Sequence, residues 1–298
     1  MKISGVILAV VALVLVISLL CIWFYPSAQD FMAGNTMWNG IRDFSREFGA
    51  ENIDSLDDLP DSPERVVLVA IPYLDYSDEE LGKMKRFVDD GGTLLLMDDY
   101  GYGNNVLAYL GVGIRFTNKP LLDPVFYYKN QSLPRIIDFV PEVQASDIDV
   151  IMLNHATTLT NVKESEAIAW SSDASFLDVN ENGVLDAGEP EGPFAVAAQF
   201  RFGKGTLALV SDPSVIINTT LDRDDNYNFT RYLTRPRGKQ LGILVDSSHL
   251  TKTLLDVSKT RLINTREVLS SPYALLGITA MIFVVVSRCT VKKEKSVG

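Results

Sequence analysis

The sharpest chemistry in the sequence lies in a short run in its second half, Asp178-Val-Asn180-Glu-Asn182-Gly183-Val184-Leu185-Asp186-Ala-Gly188-Glu189. A twelve-residue calcium loop wants oxygen donors at positions 1, 3, 5, 9 and 12, glycine at 6 for a sharp turn, and an apolar residue at 8. Asp178, Asn180, Asn182, Asp186 and Glu189 fill the side-chain positions, and Val184 would offer its backbone carbonyl. Gly183 and Leu185 complete the template. The flanks are not those of an EF-hand. Ser171 to Ser175 is a poor helix, and Pro190 and Pro193 block an exit helix. The expectation is therefore one structural Ca²⁺ rather than a switch, because no helix pair is present to open. With three carboxylates and two amides, its affinity would suit external calcium at ~10⁻⁴–10⁻³ M.

A second set of candidates lies at the ends of apolar runs: Pro72-Tyr73-Leu74-Asp75, Asp98-Asp99-Tyr100, Ser211-Asp212-Pro213 and Asn154-His155. In a parallel sheet, ligands bind beyond the carboxyl ends of the strands. These segments would form an acidic crevice, with Asp98, Asp99 and Asp212 as general acid and base candidates. The same residue types also cap helices and shape turns. The only two histidines, His155 and His249, share no ligand spacing, and no zinc motif, P-loop, G-x-S-x-G or G-x-G-x-x-G is present. Asn130, Asn218 and Asn228 begin N-x-S/T sequons, a short motif that also arises by chance.

The elements that must hold these residues follow from periodicity. Arg65 to Pro72, Thr93 to Met97, Asp149 to Leu153, Thr206 to Val210 and Gln240 to Val245 read as strands, several as continuous apolar runs buried on both faces. Ser77-Asp-Glu-Glu80 is a capping box opening a helix through Leu81, Met84, Phe87 and Val88. Asn104 to Leu110 and Asp225 to Leu233 read as further helices. Asn35 is a predicted N-cap, with Met37, Ile41, Phe44 and Phe48 at helical spacing. Gly203-Lys-Gly205 reads as a hairpin turn, and Arg115 to Ser146 gives no clear periodicity. The alternation predicts an α/β fold with a mostly parallel, flavodoxin-like sheet flanked by helices.

Two uncharged apolar runs bracket this region, Ile3 to Tyr25 and Val268 to Val286, each long enough to cross a bilayer. The predicted organisation is an N-terminal transmembrane anchor (1–25), an extracytoplasmic domain (26–266), a second transmembrane helix (267–287) and a basic tail (288–298). Lys2 precedes the first run, while Arg288, Lys292, Lys293 and Lys295 follow the second, so both termini are expected in the cytoplasm. The first run is longer than a signal-peptide core, and Pro26-Ser27-Ala28 is a poor cleavage site, which favours an uncleaved anchor. The whole chain carries 27 Lys+Arg and 38 Asp+Glu. Omitting Lys2, the four C-terminal basic residues and Glu294 leaves 22 basic against 37 acidic side chains, hence a net charge of −15. An acidic domain is repelled by nucleic acid, which excludes that partner class. Cys21 and Cys289 lie in or beside the apolar runs, so the domain between them has neither a disulfide nor a cysteine nucleophile.

Gly91-Gly-Thr-Leu-Leu-Leu-Met-Asp-Asp99, Gly203-Lys-Gly-Thr-Leu-Ala-Leu-Val-Ser-Asp-Pro213, Asn218 and Asp225-Asn226-Tyr-Asn-Phe229 resemble an uncharacterised family of prokaryotic membrane-anchored proteins. Its domain is similar to the class I glutamine amidotransferase fold and to the auxiliary domain of gliding-type ABC transporters. The calcium-like loop followed by Glu191-Gly-Pro-Phe-Ala-Val-Ala197 resembles an archaeal branch. The resemblance implies membrane-protein partners, among them a MoxR-type ATPase system. In true amidotransferases a cysteine occupies the turn after a central strand; here Asp98-Asp99 stands at that turn, without the nucleophile. The sequence therefore leans away from catalysis. It points to an extracytoplasmic binding or scaffold domain of a membrane assembly, stabilised by one Ca²⁺. The alternatives are a hydrolase acting on glycan or peptide through Asp98, Asp99 and Asp212, and an accessory subunit of an ABC-type transporter.

Overall fold

A computed structural model describes residues 3–235 and 241–272, together with 274, 276, 277 and 279. The chain divides into two compact units, Pro26–Thr251 and the terminal segments Met1–Tyr25 with Lys252–Gly298. In the second, α1 (Ile3–Phe24) holds Gly5–Phe24, a stretch of mean hydropathy 3.2 that is long and apolar enough to cross a membrane. At ~1.5 Å per residue its 22 residues span ~33 Å. Most of the predicted second span, Val268 to Val286, and the basic tail lie outside the described residues. Before them runs a helix from Leu254 to Ser270, α7 below, begun by Thr253, which accepts from Asp256 N while Asp256 accepts from Thr253 N.

The unit Pro26–Thr251 is a mixed α/β sandwich. Its strands are β1 (Ala50–Ile53), β2 (Val66–Ala70), β3 (Thr93–Met97), β4 (Arg115–Phe116), β5 (Leu121–Leu122), β6 (Arg135–Ile136) and β7 (Asp138–Phe139). They continue as β8 (Ile151–Met152), β9 (Leu159–Thr160), β10 (Ala167–Trp170), β11 (Phe176–Leu177), β12 (Ala195–Phe202), β13 (Gly205–Val210) and β14 (Gly242–Asp246). The helices are α2 (Arg42–Phe48), α3 (Asp78–Asp89), α4 (Gly103–Tyr109), α5 (Pro141–Gln144) and α6 (Asn226–Thr234), with α7 beyond. The large sheet runs β1-β14-β2-β3-β13-β12-β10-β7, with β9 pairing β12 and β4 pairing β9. The half from β1 to β13 is parallel; β13, β12, β10 and β7 continue antiparallel, so the sheet is mixed.

Side-chain alternation along β3 and β13 builds two cores. Leu95, Met97, Ala208 and Val210 face one side, against Phe44 and Phe48 of α2 and Phe229 and Leu233 of α6. Leu94, Leu96, Leu207 and Leu209 face the other, against Leu81, Met84, Phe87 and Val88 of α3 and Val106 and Leu107 of α4. Burying each such side chain contributes about 2 kcal/mol. Helix α3 begins as predicted: the Ser77 hydroxyl accepts from Glu80 N, and Glu80 Oε2 accepts from Ser77 N at 2.8 Å.

Two sequence expectations are corrected. The predicted strand Asp149 to Leu153 shrinks to β8, which pairs with β6 in its own two-stranded ribbon outside the large sheet. Asn35 caps no helix. Its Oδ1 accepts from Met37 N at 2.7 Å and its Nδ2 donates to Gln29 O, folding residues 29–41 into turns, so that α2 starts only at Arg42. The stretch Arg115 to Ser146, without periodicity in the sequence, is a set of two-residue strands and one turn of helix.

Candidate functional site

Strands β2, β3 and β13 lie side by side and parallel, so their carboxyl ends open on one edge. There a cavity of about 140 Å³ is lined by Tyr73, Asp99, Asn154, His155 and Ser214. Asp30, Phe31, Trp38 and Asn39 close it from the segment before α2. The strand-end segments named from the sequence are thus brought together, except that the three carboxylates have separate fates.

Asp98 is buried, on the opposite face of the sheet edge from Asp99. Its Oδ1 accepts from Gly101 N at 2.7 Å and its Oδ2 from Gly103 N at 2.8 Å, folding the turn into α4. Glycine is required at both positions, since a Cβ on Gly101 or Gly103 would come within 2.7 Å or 2.5 Å of the Asp98 carboxylate. Burial pushes the Asp98 carboxyl up to about 7 against these amide hydrogen bonds. Asp212 is fully buried and holds two segments at once: its Oδ2 accepts from Asn154 N at 2.5 Å and its Oδ1 from Ser214 N at 2.6 Å. Burial pushes it, too, up to about 7. Asp99 alone of the three lines the cavity. Its Oδ1 accepts from Tyr100 N at 2.6 Å and from the Tyr73 hydroxyl at 3.0 Å. Burial raises its pKa, opposed by those two donors, and burial beside Asp99 raises that of Tyr73 as well.

Sequence reasoning missed the cavity's other wall, because it drew no candidate from the stretch after the first apolar run, and Trp38 and Asn39 lie within the helix predicted from Asn35. The Phe31 ring stacks on Tyr73, centroids 5.6 Å apart and 15° between planes. Asn39 Nδ2 donates to Asp30 Oδ1. The Asn218 amide fastens this segment from the far end of the chain, donating to Asn35 O and Met37 O while its Oδ1 accepts from Asp43 N. A cluster of Asn, Trp and Phe between Asp30 and Asn39 was the available signal for a folded segment.

A second buried network follows β14. Asp246 Oδ2 lies 2.8 Å from His249 Nδ1 and accepts from the Tyr76 hydroxyl at 2.7 Å. The imidazole stacks on Tyr76 at 3.6 Å, and its Nε2 stands 3.5 Å from Glu80 Oε1. Burial would raise the Asp246 pKa, but hydrogen bonds from His249, Ser248 and Tyr76 outweigh it and hold the carboxyl below its ordinary value. The carbonyl of His249 accepts from Tyr73 N and Leu74 N, so this network braces the loop that carries Tyr73 into the cavity.

The Asp178–Glu189 loop leaves β11, and Glu191 returns to bridge Phe176, so neither flank is helical. Asp178 Oδ1 and Oδ2 accept from Asn182 N and Gly183 N, and Asn180 Oδ1 accepts from Asn182 N. Glu189 folds back, its Oε1 accepting from Val179 N and its Oε2 from Asp186 N. Both Asn180 Nδ2 and Asn182 Nδ2 donate to Asp186 Oδ2 at 2.7 Å, which lowers the Asp186 pKa. The Asn180 and Asn182 side chains thus converge on Asp186 while Asp178 and Glu189 hold the loop's backbone, and Gly183 takes the left-handed conformation (φ 79°) that the turn requires. Val184 is exposed at the loop tip. Among the described residues no three His, Cys, Asp or Glu side chains gather as a metal-binding group.

Comparison with solved structures gives partial backbone likenesses. The mmIFT52 N-terminal domain is 18% identical, covers 58% of this chain and 78% of its own, and has a TM-score of 0.44. A β-galactosidase from Bacillus circulans sp. alkalophilus is 14% identical with a TM-score of 0.30, over 54% of this chain and 22% of that one. A cytoplasmic protein of Salmonella typhimurium is 15% identical with a TM-score of 0.29, over 60% and 75%. No curated protein matches the sequence. The family model described as "Domain of unknown function (DUF4350)" matches residues 33–234, which takes in the cavity's strand ends and the acidic loop, and the chain belongs to that family.

Proposed function

We propose that the chain is a membrane-anchored extracytoplasmic binding module within a multi-protein membrane assembly, its crevice the ligand-facing surface and its Asp178–Glu189 loop ordered by one Ca²⁺. The observation that carries the reading is the division of labour among the carboxylates. Asp98 and Asp212 are each engaged by two backbone amides, leaving Asp99 as the one of the three that faces the cavity. A pair of carboxylates acting as acid and base needs both free to reach the reacting atoms. The resemblance to amidotransferase-like domains supports the same conclusion, since Asp98-Asp99 stands at the turn where those enzymes carry cysteine. The apolar helix α1 and the distribution of Lys and Arg support the anchored topology. For the loop, the support is the convergence of Asn180, Asn182 and Glu189 around Asp186, with its glycine turn.

The test is mild crosslinking of the full-length protein in native membranes, followed by mass spectrometry, with wild type and Asp99→Asn compared. The reading expects a reproducible set of membrane-protein or ATPase partners that is reduced in Asp99→Asn. A solitary protein would overturn it. One observation favours the hydrolase alternative: Asp98 and Asp212 are pushed up to about 7, where a carboxyl can hold or release a proton at neutral pH. That alternative fails if Asp99→Asn fully rescues the phenotype of a deletion strain.

A further inference from the structure

We infer that the crevice takes an organic cation, a ligand presenting an alkyl- or methylammonium head. The inference rests on the crevice being the ligand-facing surface proposed above. Phe31, Trp38 and Tyr73 form aromatic walls, and Trp38 stands at the rim with 59% of its surface exposed. An aromatic face attracts a positive charge held within about 6 Å of its centre. Asp30 and Asp99 add carboxylates to the same walls, and no Lys or Arg is among the lining residues. Asp99 is 8% exposed and receives the Tyr73 hydroxyl and Tyr100 N, which leaves lone pairs for a further donor.

Size and charge decide between ligand classes. A cleft of about 140 Å³ admits an ammonium head. Anions meet Asp30 and Asp99 at the walls, with Asp98 and Asp212 behind. An organic cation uses both the rings and the carboxylate. A cation seated on Asp99 also offsets the cost of keeping that carboxylate charged in a poorly solvated place. The ammonium can belong to a free methylated amine or to a lysine side chain of a partner, and the probes below separate the two.

The experiment is calorimetric titration of the full-length protein in detergent micelles with choline, with n-butylammonium as a lysine side-chain mimic, and with 3,3-dimethylbutan-1-ol. The last has the shape of choline with carbon in place of the charged nitrogen. The inference expects choline or n-butylammonium to bind at least tenfold tighter than the neutral isostere. It expects Asp99→Asn to weaken that binding about tenfold, and Trp38→Ala to weaken it several-fold, with unchanged melting temperatures. A preference for n-butylammonium assigns a lysine, and a preference for choline a methylated amine. Binding of both choline and n-butylammonium no tighter than that of the isostere, or cation binding unchanged by Asp99→Asn, overturns the inference. If no cation binds while Asp99→Asn still strips partners in the crosslinking experiment, the cation assignment falls and the binding-module reading stands. If neither depends on Asp99, both fall.

Discussion

Two acidic clusters sit in one domain, and they differ in what surrounds them. At the sheet edge Asp98, Asp99 and Asp212 are buried, and burial raises the pKa of each. In the Asp178–Glu189 loop Asp186 is exposed and its pKa is lowered by two neighbouring amides. Each cluster is held by backbone N–H donors, yet the amides at the sheet edge have been taken out of water and most of those in the loop have not. The number of carboxylates therefore says little about their chemistry; their solvent says most of it.

The largest effect expected from this contrast is on pH dependence. Asp98 and Asp212 have folded values of about 7 against ~3.9 in an unfolded chain. The folded state thus holds protons that the unfolded state has released. The stability they contribute is fully present below about pH 4 and is lost as the pH rises through 7. Between pH 5 and pH 8 the loss is on the order of 5 kcal/mol, taking about two pH units per group at ~1.4 kcal/mol each. Thermal unfolding of the full-length protein should give a melting temperature lower by about 10 °C or more at pH 8, and Asp98→Asn should flatten the slope. A melting temperature that is flat or rising across this window would mean that the two carboxyls are ionised throughout.

Next in size is Asp212→Ala, measured at pH 5.5 so that the buried charge does not intervene. It leaves the N–H groups of Asn154 and Ser214 without their partner. The expected cost is about 3 kcal/mol, or roughly 6–12 °C for a domain of this size. Asp178→Ala also releases two amides, but those of Asn182 and Gly183 can reach water, so without calcium it should cost about a third as much. Equal costs would break the comparison. Calcium itself has an effect of similar size to that of Asp178→Ala. With a dissociation constant of ~10⁻⁴ M, 1 mM Ca²⁺ stabilises by about 1.4 kcal/mol. The melting temperature should rise by about 3–5 °C over EGTA in wild type and not in Asp186→Asn. No rise in wild type would remove the metal from the loop.

Much of the frame was legible in the sequence because its physics is local. Val66–Ala70, Thr93–Met97 and Gly205–Val210 are almost wholly buried, and only a strand covered on both faces tolerates such continuous apolar runs. The capping box at Ser77 and Glu80 is satisfied within four residues. What the sequence hid depends on distant partners. Asn35 looks like a helix cap, yet its carbonyl and that of Met37 accept from Asn218. Strand β12 is rich in alanine, a weak strand former, and is held by β13 and β10 on its two sides. The site was half legible. Tyr73, Asp99, Asn154 and His155 stand at strand ends as expected, whereas Asp30 and Phe31 arrive from a stretch without any predicted element, and Trp38 and Asn39 from the predicted first turn of a helix. The separation of Asp98 from Asp99 needed only the two-residue period of β3: Asp99 continues the face of Leu95 and Met97, and Asp98 that of Leu94 and Leu96.

The strand order β1-β14-β2 bears on how the chain is made. During synthesis β1 and β2 emerge well over a hundred residues ahead of β14, which must lie between them and pair with both. Until then the nascent polypeptide carries an open slot bordered by the unpaired edge of Val66–Ala70, a template for any extended apolar segment nearby. Parallel pairing across so long a separation is slow to form. A product that ends before Gly242 would keep that slot permanently, and it would be recognised by quality-control proteases as unfinished rather than as a shorter version of the same domain.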